Sequence, residues 1–292
     1  MKKQKTKPLE FTGERFTPEC VREIWYEHYH RYAFAQNLVA GKNVLDIASG
    51  EGYGSAILAN KARSVIGMDI DSDSIAHAQN KYQHQNLHYQ QASCLDIPLD
   101  TESIDVIVSF ETLEHLAEHE QMLAEFNRVL KTDGILLIST PDKKHYSDAT
   151  GFSNEYHVKE LYKQEFKDLL DKHWQQQIWY AQALSFNSLM QKLDKQSKTY
   201  SSDVLQDKQL FHEQQLIKSM YYIVIASKQK ANLPILPDLH LFSDTQQSVY
   251  QHYNQSIKNE IAYGKELMMY REKFKRLLSI PFIGKVIKFF DK

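Results

Sequence analysis

Only two cysteines, Cys20 and Cys94, occur in the 292 residues of the chain. They stand far apart, so they suggest neither a disulfide framework nor a cysteine metal site, and a reducing compartment is the default. A surplus of one charge is also missing: 35 Lys and Arg face 37 Asp and Glu, a formal net charge of −2. Nothing in that balance points to nucleic acid as a partner. No apolar run approaches the ~20 residues of a membrane span. Met1 to Pro8 is basic, but no apolar signal-peptide segment follows it. A soluble cytoplasmic chain is therefore expected. Apolar residues make up 42 %, enough for a sizeable core in one domain with an extension or in two small domains. Glycine is sparse, ten residues in all, yet three of them crowd into positions 50 to 54.

That cluster organises the chain. Val44 to Ile47 is a short apolar run broken by one acid, Asp46, and reads as a buried strand. Gly50, Gly52 and Gly54 follow, and Ser55 to Ala59 begins a helical pattern. Strand, glycine turn and helix in that order make the ligand-binding corner of a doubly wound α/β sheet. A second apolar run, Val65 to Met68, ends in Asp69, placed to accept the two hydroxyls of a ribose. A dinucleotide fingerprint spaces its glycines G-x-G-x-x-G, and here the third falls one residue early. Asp46 and Glu51 add negative charge, which suits a ligand carrying positive charge better than a pyrophosphate.

The stretch Asn43 to Gly54 resembles motif I of class I S-adenosylmethionine (SAM) dependent methyltransferases, with Asp69 as the acid of motif II. The family usually has glycine where this chain has Ala48. The resemblance implies SAM as cofactor, held around Asp46, Ala48, Gly50, Gly52, Asp69 and Ile70. Ala92 to Leu99 looks like motif III, which lines the adenine. Ser93 stands where the family often has an acid, so the adenine contact falls to backbone groups at Ser93 and Cys94 or to the Asp96 carboxylate. Upstream, Phe11 to Glu19 is a turn-rich arm, and a helix is expected from about Val21 to Val39, rich in aromatics and His. The arm and Glu27 to Tyr32 look like the lead-in of bacterial methyltransferases found with polysaccharide synthesis. In related ubiquinone-pathway O-methyltransferases an arginine matching Arg31 holds the SAM carboxylate, a role that suits a guanidinium fork.

Further along, Ser72 to Tyr82 reads as a helix capped by Asp71 or Ser72. Leu87–Gln91 and Ile104–Phe110 read as strands three and four, and Phe110 would lie beside SAM by analogy with the same family. A helix from near Leu113 to Leu130, a turn at Thr132-Asp133-Gly134 and a fifth strand to Pro141 follow. A helix from Val158 to Asp171 and strands at Gln177–Ala181 and Tyr221–Ala226 complete the pattern. The expected fold is thus a doubly wound, seven-stranded, mostly parallel α/β sheet. The expected organisation is an arm over residues 1–20, a methyltransferase domain over 21–228 and a helical tail over 229–292. Residues 185–218 are too long for an ordinary loop and read as an insertion, a lid or a mobile stretch. In the tail, Ile283, Val286, Ile287 and Phe290 share one helical face, with Lys285 and Lys288 elsewhere on the helix. Such a basic amphipathic helix docks on a partner protein, on its own domain or on an anionic membrane surface, which would make the chain peripheral at the inner face of a membrane.

After the fourth strand stands Phe110-Glu111-Thr112-Leu113-Glu114-His115, and Asn154 to Leu161 supplies His157. Two carboxylates and an imidazole suit a divalent cation or a proton acceptor beside a substrate hydroxyl. E-x-x-E-H with a later His is similar to the magnesium site of small-RNA 2′-O-methyltransferases, and E-x-x-E-H alone to ubiquinone-pathway O-methyltransferases. The resemblance implies Glu111, Glu114, His115 and His157 as metal ligands, magnesium among the candidates, with Glu114, His115 and His157 catalytic. Without a metal, Glu111 and His115 serve as helix caps, and Glu114 or His115 acts alone as base. The reading that follows is O-methyl transfer to a hydroxyl of a sugar or glycan end in bacterial surface-polysaccharide synthesis. A small quinone or phenolic molecule, an RNA end or a lipid-linked intermediate are rival acceptors. A non-catalytic scaffold working through its tail and a nicotinamide oxidoreductase are rivals of another class.

Overall fold

In the computed structural model, residues 17, 23–185, 203–206, 209–212 and 218–280 are described, with 203–206 and 209–212 described by backbone alone. The expected arm (apart from Thr17), most of the 185–218 insertion and the amphipathic end at 283–290 lie outside the described residues. In chain order the elements are α1 (Glu23–Ala35), β1 (Asn43–Ile47), α2 (Tyr53–Ala59), β2 (Ser64–Asp69), α3 (Ser72–Lys81), β3 (Leu87–Gln91), β4 (Ile104–Phe110), α4 (His119–Val129), β5 (Leu130–Pro141), α5 (Lys163–Asp171), β6 (Gln176–Gln182), β7 (Asp203–Gln206), β8 (Gln209–His212), β9 (Tyr221–Ser227) and α6 (Ser248–Leu278).

Seven strands form one sheet in the order β3-β2-β1-β4-β5-β9-β6, and β7 with β8 makes a separate two-stranded antiparallel pair. β1 to β5 pair in parallel, whereas β9 runs antiparallel to both neighbours. The sheet is therefore seven-stranded and mostly parallel, as the alternation of strands and helices implies. Side-chain alternation along the strands sorts the core into two layers. Val44, Val106, Val108, Leu137 and Ile225 pack on one face with Tyr32, Phe34, Leu58 and Ala78 of α1 to α3. Leu45, Ile107, Leu136, Ile138 and Val224 pack on the other with Met122, Phe126, Phe166 and Leu170 of α4 and α5. The strand order reverses between β1 and β4, so the crevice at their C-terminal ends is the natural ligand site.

Three local expectations are corrected. The helix from Leu113 is only a 3₁₀ turn, Leu113–His115; Leu116 is extended and α4 starts at His119. His119, the first residue of α4, is buried beside the turn, which ends where Leu116 donates its N–H to the Leu113 carbonyl. The turn at 132–134 lies inside β5, as the irregular part of the register between Ile104–Leu130 and Val106–Ile135. Residues 158–162 are irregular rather than helical. Val158 and Lys159 donate their N–H groups to the Glu114 carbonyl at 2.8 and 3.0 Å, and Leu161 bridges to Asp142. α5 begins only at Lys163, where the Glu165 carboxylate accepts from the Tyr162 N–H. Asp71 caps α3, accepting from the N–H groups of Asp73 and Ser74.

The chain forms two compact units, residues 1–242 and 243–292. Within the first, Leu233 and Leu236 pack on the core, and His240 hydrogen-bonds His30 at 2.9 Å. The second contains α6, 31 residues long, with Ile257, Ile261, Met268 and Phe274 exposed. No described helix is long and apolar enough to cross a membrane.

Candidate active site

The turn after β1 is tighter than an all-glycine reading suggests. Ala48 has φ +59°, Gly50 +55° and Gly52 +92°. The left-handed region strains a residue with a Cβ. Ala48→Gly is therefore expected to stabilise the fold by up to about 1 kcal/mol, the relief of strain less glycine's extra unfolded-state entropy. A thermal melt of the two proteins checks this. At Gly52 a Cβ would stand 2.6 Å from the Ala78 Cβ and 2.8 Å from the Tyr89 hydroxyl. Its glycine is needed for packing against α3 and β3.

Asp69 sits at the cavity edge with its carboxylate fixed. One oxygen accepts from the Gly50 N–H at 2.8 Å, the other from the Asp71 N–H at 2.9 Å. Asp46 is elsewhere: it is fully buried behind the turn and does not line the cavity. Ser55 and Tyr32 donate to it at 2.5 and 3.1 Å. Burial pushes its carboxyl up to about 7, against the pull of those two hydroxyls. The unfolded value is about 3.9. Asp46 thus favours the fold in its protonated form; that contribution is full below pH about 4 and is lost as pH rises to about 7. Asp46→Asn is expected to flatten this slope, so that urea unfolding near pH 5 and near pH 8 gives closer stabilities than in the parent protein. Glu51, the loop acid, lines the cavity but is paired with Lys81, Tyr82 and His77 of α3 and its end. The two acids thus have partners inside the protein.

The cavity holds about 470 Å³. Ala48, Gly50, Asp69, Ile70, Ser93, Cys94 and Phe110 line it, together with Glu111, Glu114, His115 and His157. Asp46, Gly52 and Arg31 do not, and Asp96 is exposed away from it. Burial pushes the Cys94 thiol up to about 11, so it presents neutral sulfur surface rather than a nucleophile. Arg31 lies just behind the wall, 2 % exposed, against the lining residues Glu111 and Tyr221. Its Nη1 donates to the Gln182 side chain at 2.9 Å. Its Nε and Nη2 are buried with no partner. Such orphaned donors are costly to bury, and two on one guanidinium form the fork that a carboxylate takes.

Beside Arg31, Glu111 has φ +52° and its N–H and carboxylate both engage Ser139. Its carboxylate also stands 3.8 Å from Arg31. Among the described residues, Glu114, His115 and His157 offer ligand atoms within 4.8 Å of one another, and Glu111 is outside this group. Glu111 thus belongs to the Arg31 side, a correction to the four-ligand set. Glu114 is buried and accepts from Thr140 at 3.1 Å. Burial, reinforced by Glu111, holds its carboxyl well above the usual range. His115 has Nδ1 3.0 Å from the Tyr156 carbonyl, which selects the Nδ1–H tautomer and puts the lone pair on Nε2. The rings of His115 and His157 meet edge to face at 5.1 Å.

Tyr146, Asn154 and Tyr221 also line the cavity, and Gln182 and Ser139 anchor Arg31 and Glu111. The sequence carries no signal for these five beyond polar residues at strand or loop ends.

Residues 45–138 match the family model described as a methyltransferase domain. A "Probable S-adenosylmethionine-dependent methyltransferase" of Mycolicibacterium smegmatis is 34 % identical over 166 residues, 56 % of this chain and 64 % of the relative. A ubiquinone biosynthesis O-methyltransferase of Glaesserella parasuis is 35 % identical over 111 residues, 36 % of this chain and 47 % of the relative. The chain thus spans less than two thirds of either relative's length. Among solved structures, the YcgJ protein of Bacillus subtilis superposes with TM-score 0.50 at 16 % identity, covering 69 % of this chain and 100 % of that one. A Bacillus halodurans protein, described as a candidate methyltransferase, gives TM-score 0.50 at 18 % identity, covering 68 % and 98 %. At such identities the likeness is one of fold.

Proposed function

We propose that this chain, which has the class I methyltransferase fold and a matching methyltransferase domain at residues 45–138, moves a methyl group from SAM to a hydroxyl. The observation that carries the cofactor is Arg31, buried behind the cavity wall with Nε and Nη2 unpartnered. Those donors suit the SAM carboxylate. Asp69 suits the ribose hydroxyls, and Ile70 with Ser93 and Cys94 suits the adenine, each lining the cavity. When bound, SAM supplies a methyl group on a positively charged sulfonium. The protein's part is then alignment and proton removal. The Nε2 lone pair of His115 is placed to accept the hydroxyl proton, and Phe110 and Tyr221 help close the cavity.

A divalent cation such as magnesium fits Glu114, His115 and His157. Their ligand atoms are close together, His115 carries its lone pair on Nε2, and the buried Glu114 carboxyl is short of compensating charge. Bound there, a cation would lower the pKa of an acceptor hydroxyl. The acceptor we infer is a sugar or glycan end, supported by the resemblance of the arm and of Asn154 to Leu161 to polysaccharide-associated enzymes. A phenolic acceptor is the second reading, favoured by the likeness to the ubiquinone O-methyltransferase. The net charge of −2 disfavours an RNA end. We also infer that residues 283–290, whose sequence spacing is that of a basic amphipathic helix, dock on a partner protein or on the chain's own domain. Methyl transfer from radiolabelled SAM to a panel of methyl glycosides and a panel of catechols separates the two acceptors. Label in the glycosides alone supports the first reading, and label in the catechols alone replaces it with the second.

A further inference from the structure

His157 is held more firmly than a surface loop requires. Its Nδ1 lies 2.6 Å from Glu160 Oε1, and its Nε2 lies 2.9 Å from the Asn154 amide nitrogen. The Asn154 amide is oriented by the Tyr156 N–H, which donates to Asn154 Oδ1 at 3.1 Å. The amide therefore presents its N–H to Nε2. Both contacts select one tautomer, with the proton on Nδ1 and the lone pair on Nε2. The other Glu160 oxygen accepts from the Ser147 hydroxyl. Ser147 follows Tyr146, whose ring stacks on His157 at 5.4 Å and 26°. Glu160 thus ties the edge of the imidazole to the segment that covers its face. Its side chain is 8 % exposed, as is that of His157, so the pair is largely shielded from water.

We propose that Glu160 is a positioning residue for His157. It acts through the imidazole and does not line the cavity itself. A carboxylate on Nδ1–H fixes the ring plane and tautomer and makes Nε2 a better acceptor or ligand; in this structure the Asn154 N–H holds that lone pair and has to give way to a substrate or cation. The pair is separate from the fold's load: α5 is capped by Glu165, so loss of Glu160 leaves the helix start in place. Its catalytic consequence rests on the hydroxyl methyl-transfer reading above.

The test is the long-range ¹H–¹⁵N spectrum of the histidine rings in the full chain, with Glu160→Ala and Glu160→Gln beside the parent. The parent is expected to show the Nδ1–H tautomer at His157. Glu160→Ala is expected to mix in the Nε2–H tautomer, and Glu160→Gln to restore the parent pattern because its amide oxygen still accepts from Nδ1–H. SAM binding by calorimetry is expected to be the same in all three. On whichever glycoside or catechol takes the methyl group, Glu160→Ala is expected to lower kcat about tenfold or more, with the Gln variant in between. An Nε2–H tautomer in the parent, or a His157 pattern unmoved in Glu160→Ala, overturns the proposal. The parent spectrum decides even if the Ala variant fails to fold. Absence of SAM binding in the parent would remove the methyltransferase reading alone, since the tautomer is read without it.

Discussion

Arg31→Gln is expected to weaken SAM binding by about 3 kcal/mol, more than a hundredfold, and to leave adenosine binding nearly unchanged. Arg31 is deeply buried, and only one of its nitrogens has a hydrogen-bond partner. Desolvation opposes its charge, but Glu111, Tyr221 and Glu27 outweigh it and raise the guanidinium above its ordinary range. The cation is thus held in place with Nε and Nη2 unsatisfied. Glutamine at this position would leave the ligand carboxylate buried without a charge partner, which is the costly case. Arg31→Lys keeps the charge and loses the fork, so it should fall between the two. Adenosine lacks the methionine part and therefore reports on Asp69, Ile70 and Cys94 alone. Calorimetry with both ligands reads the difference. Equal SAM affinity in the Gln variant would place the carboxylate elsewhere.

His115→Ala and His157→Ala are each expected to lower kcat by about 10² to 10⁴ while SAM affinity is retained. Both rings line the cavity and meet edge to face at 5.1 Å, and the proposed function assigns them to the acceptor rather than to SAM. Glu114→Gln should separate the two chemistries at this site. Its carboxyl is pushed well up by burial and by Glu111. If His115 works as a base without a cation, a neutral amide at 114 resembles the protonated acid, and kcat should change little. If a cation is held, the amide removes a ligand charge, and both activity and chelator sensitivity should fall together. Steady-state kinetics with and without magnesium and a chelator distinguish these outcomes. Unchanged kcat in both histidine variants would return the site to a structural role.

The strand positions were legible because β1, β4 and β9 are apolar runs of five to seven residues, the length and pattern of strands buried on both faces. Asp69 and Gly50 were legible for the same reason: they stand where a strand ends at the crevice. What escaped the sequence was partnership across long separations. Gln182 holds Arg31 from 151 residues away, and Ser139 holds Glu111 from 28. Asp46 is the acid the strand pattern shows, yet Tyr32 and Ser55 hold it inward, where burial raises its carboxyl, and no local pattern signals this. The helix expected from Val158 failed because the Glu114 carbonyl draws two N–H groups of that segment into an irregular path. Its apolar spacing was helical only from Lys163 onward. Ala48 was visible as a departure from glycine, but its positive φ was not.

The most direct test of the account is calorimetric titration of the purified full chain with SAM and with its demethylated product, S-adenosylhomocysteine. The account predicts micromolar binding of both, weakened more than a hundredfold in Arg31→Gln and also weakened in Asp69→Ala. No detectable binding of either ligand would contradict it and leave a methyltransferase fold that works without the cofactor.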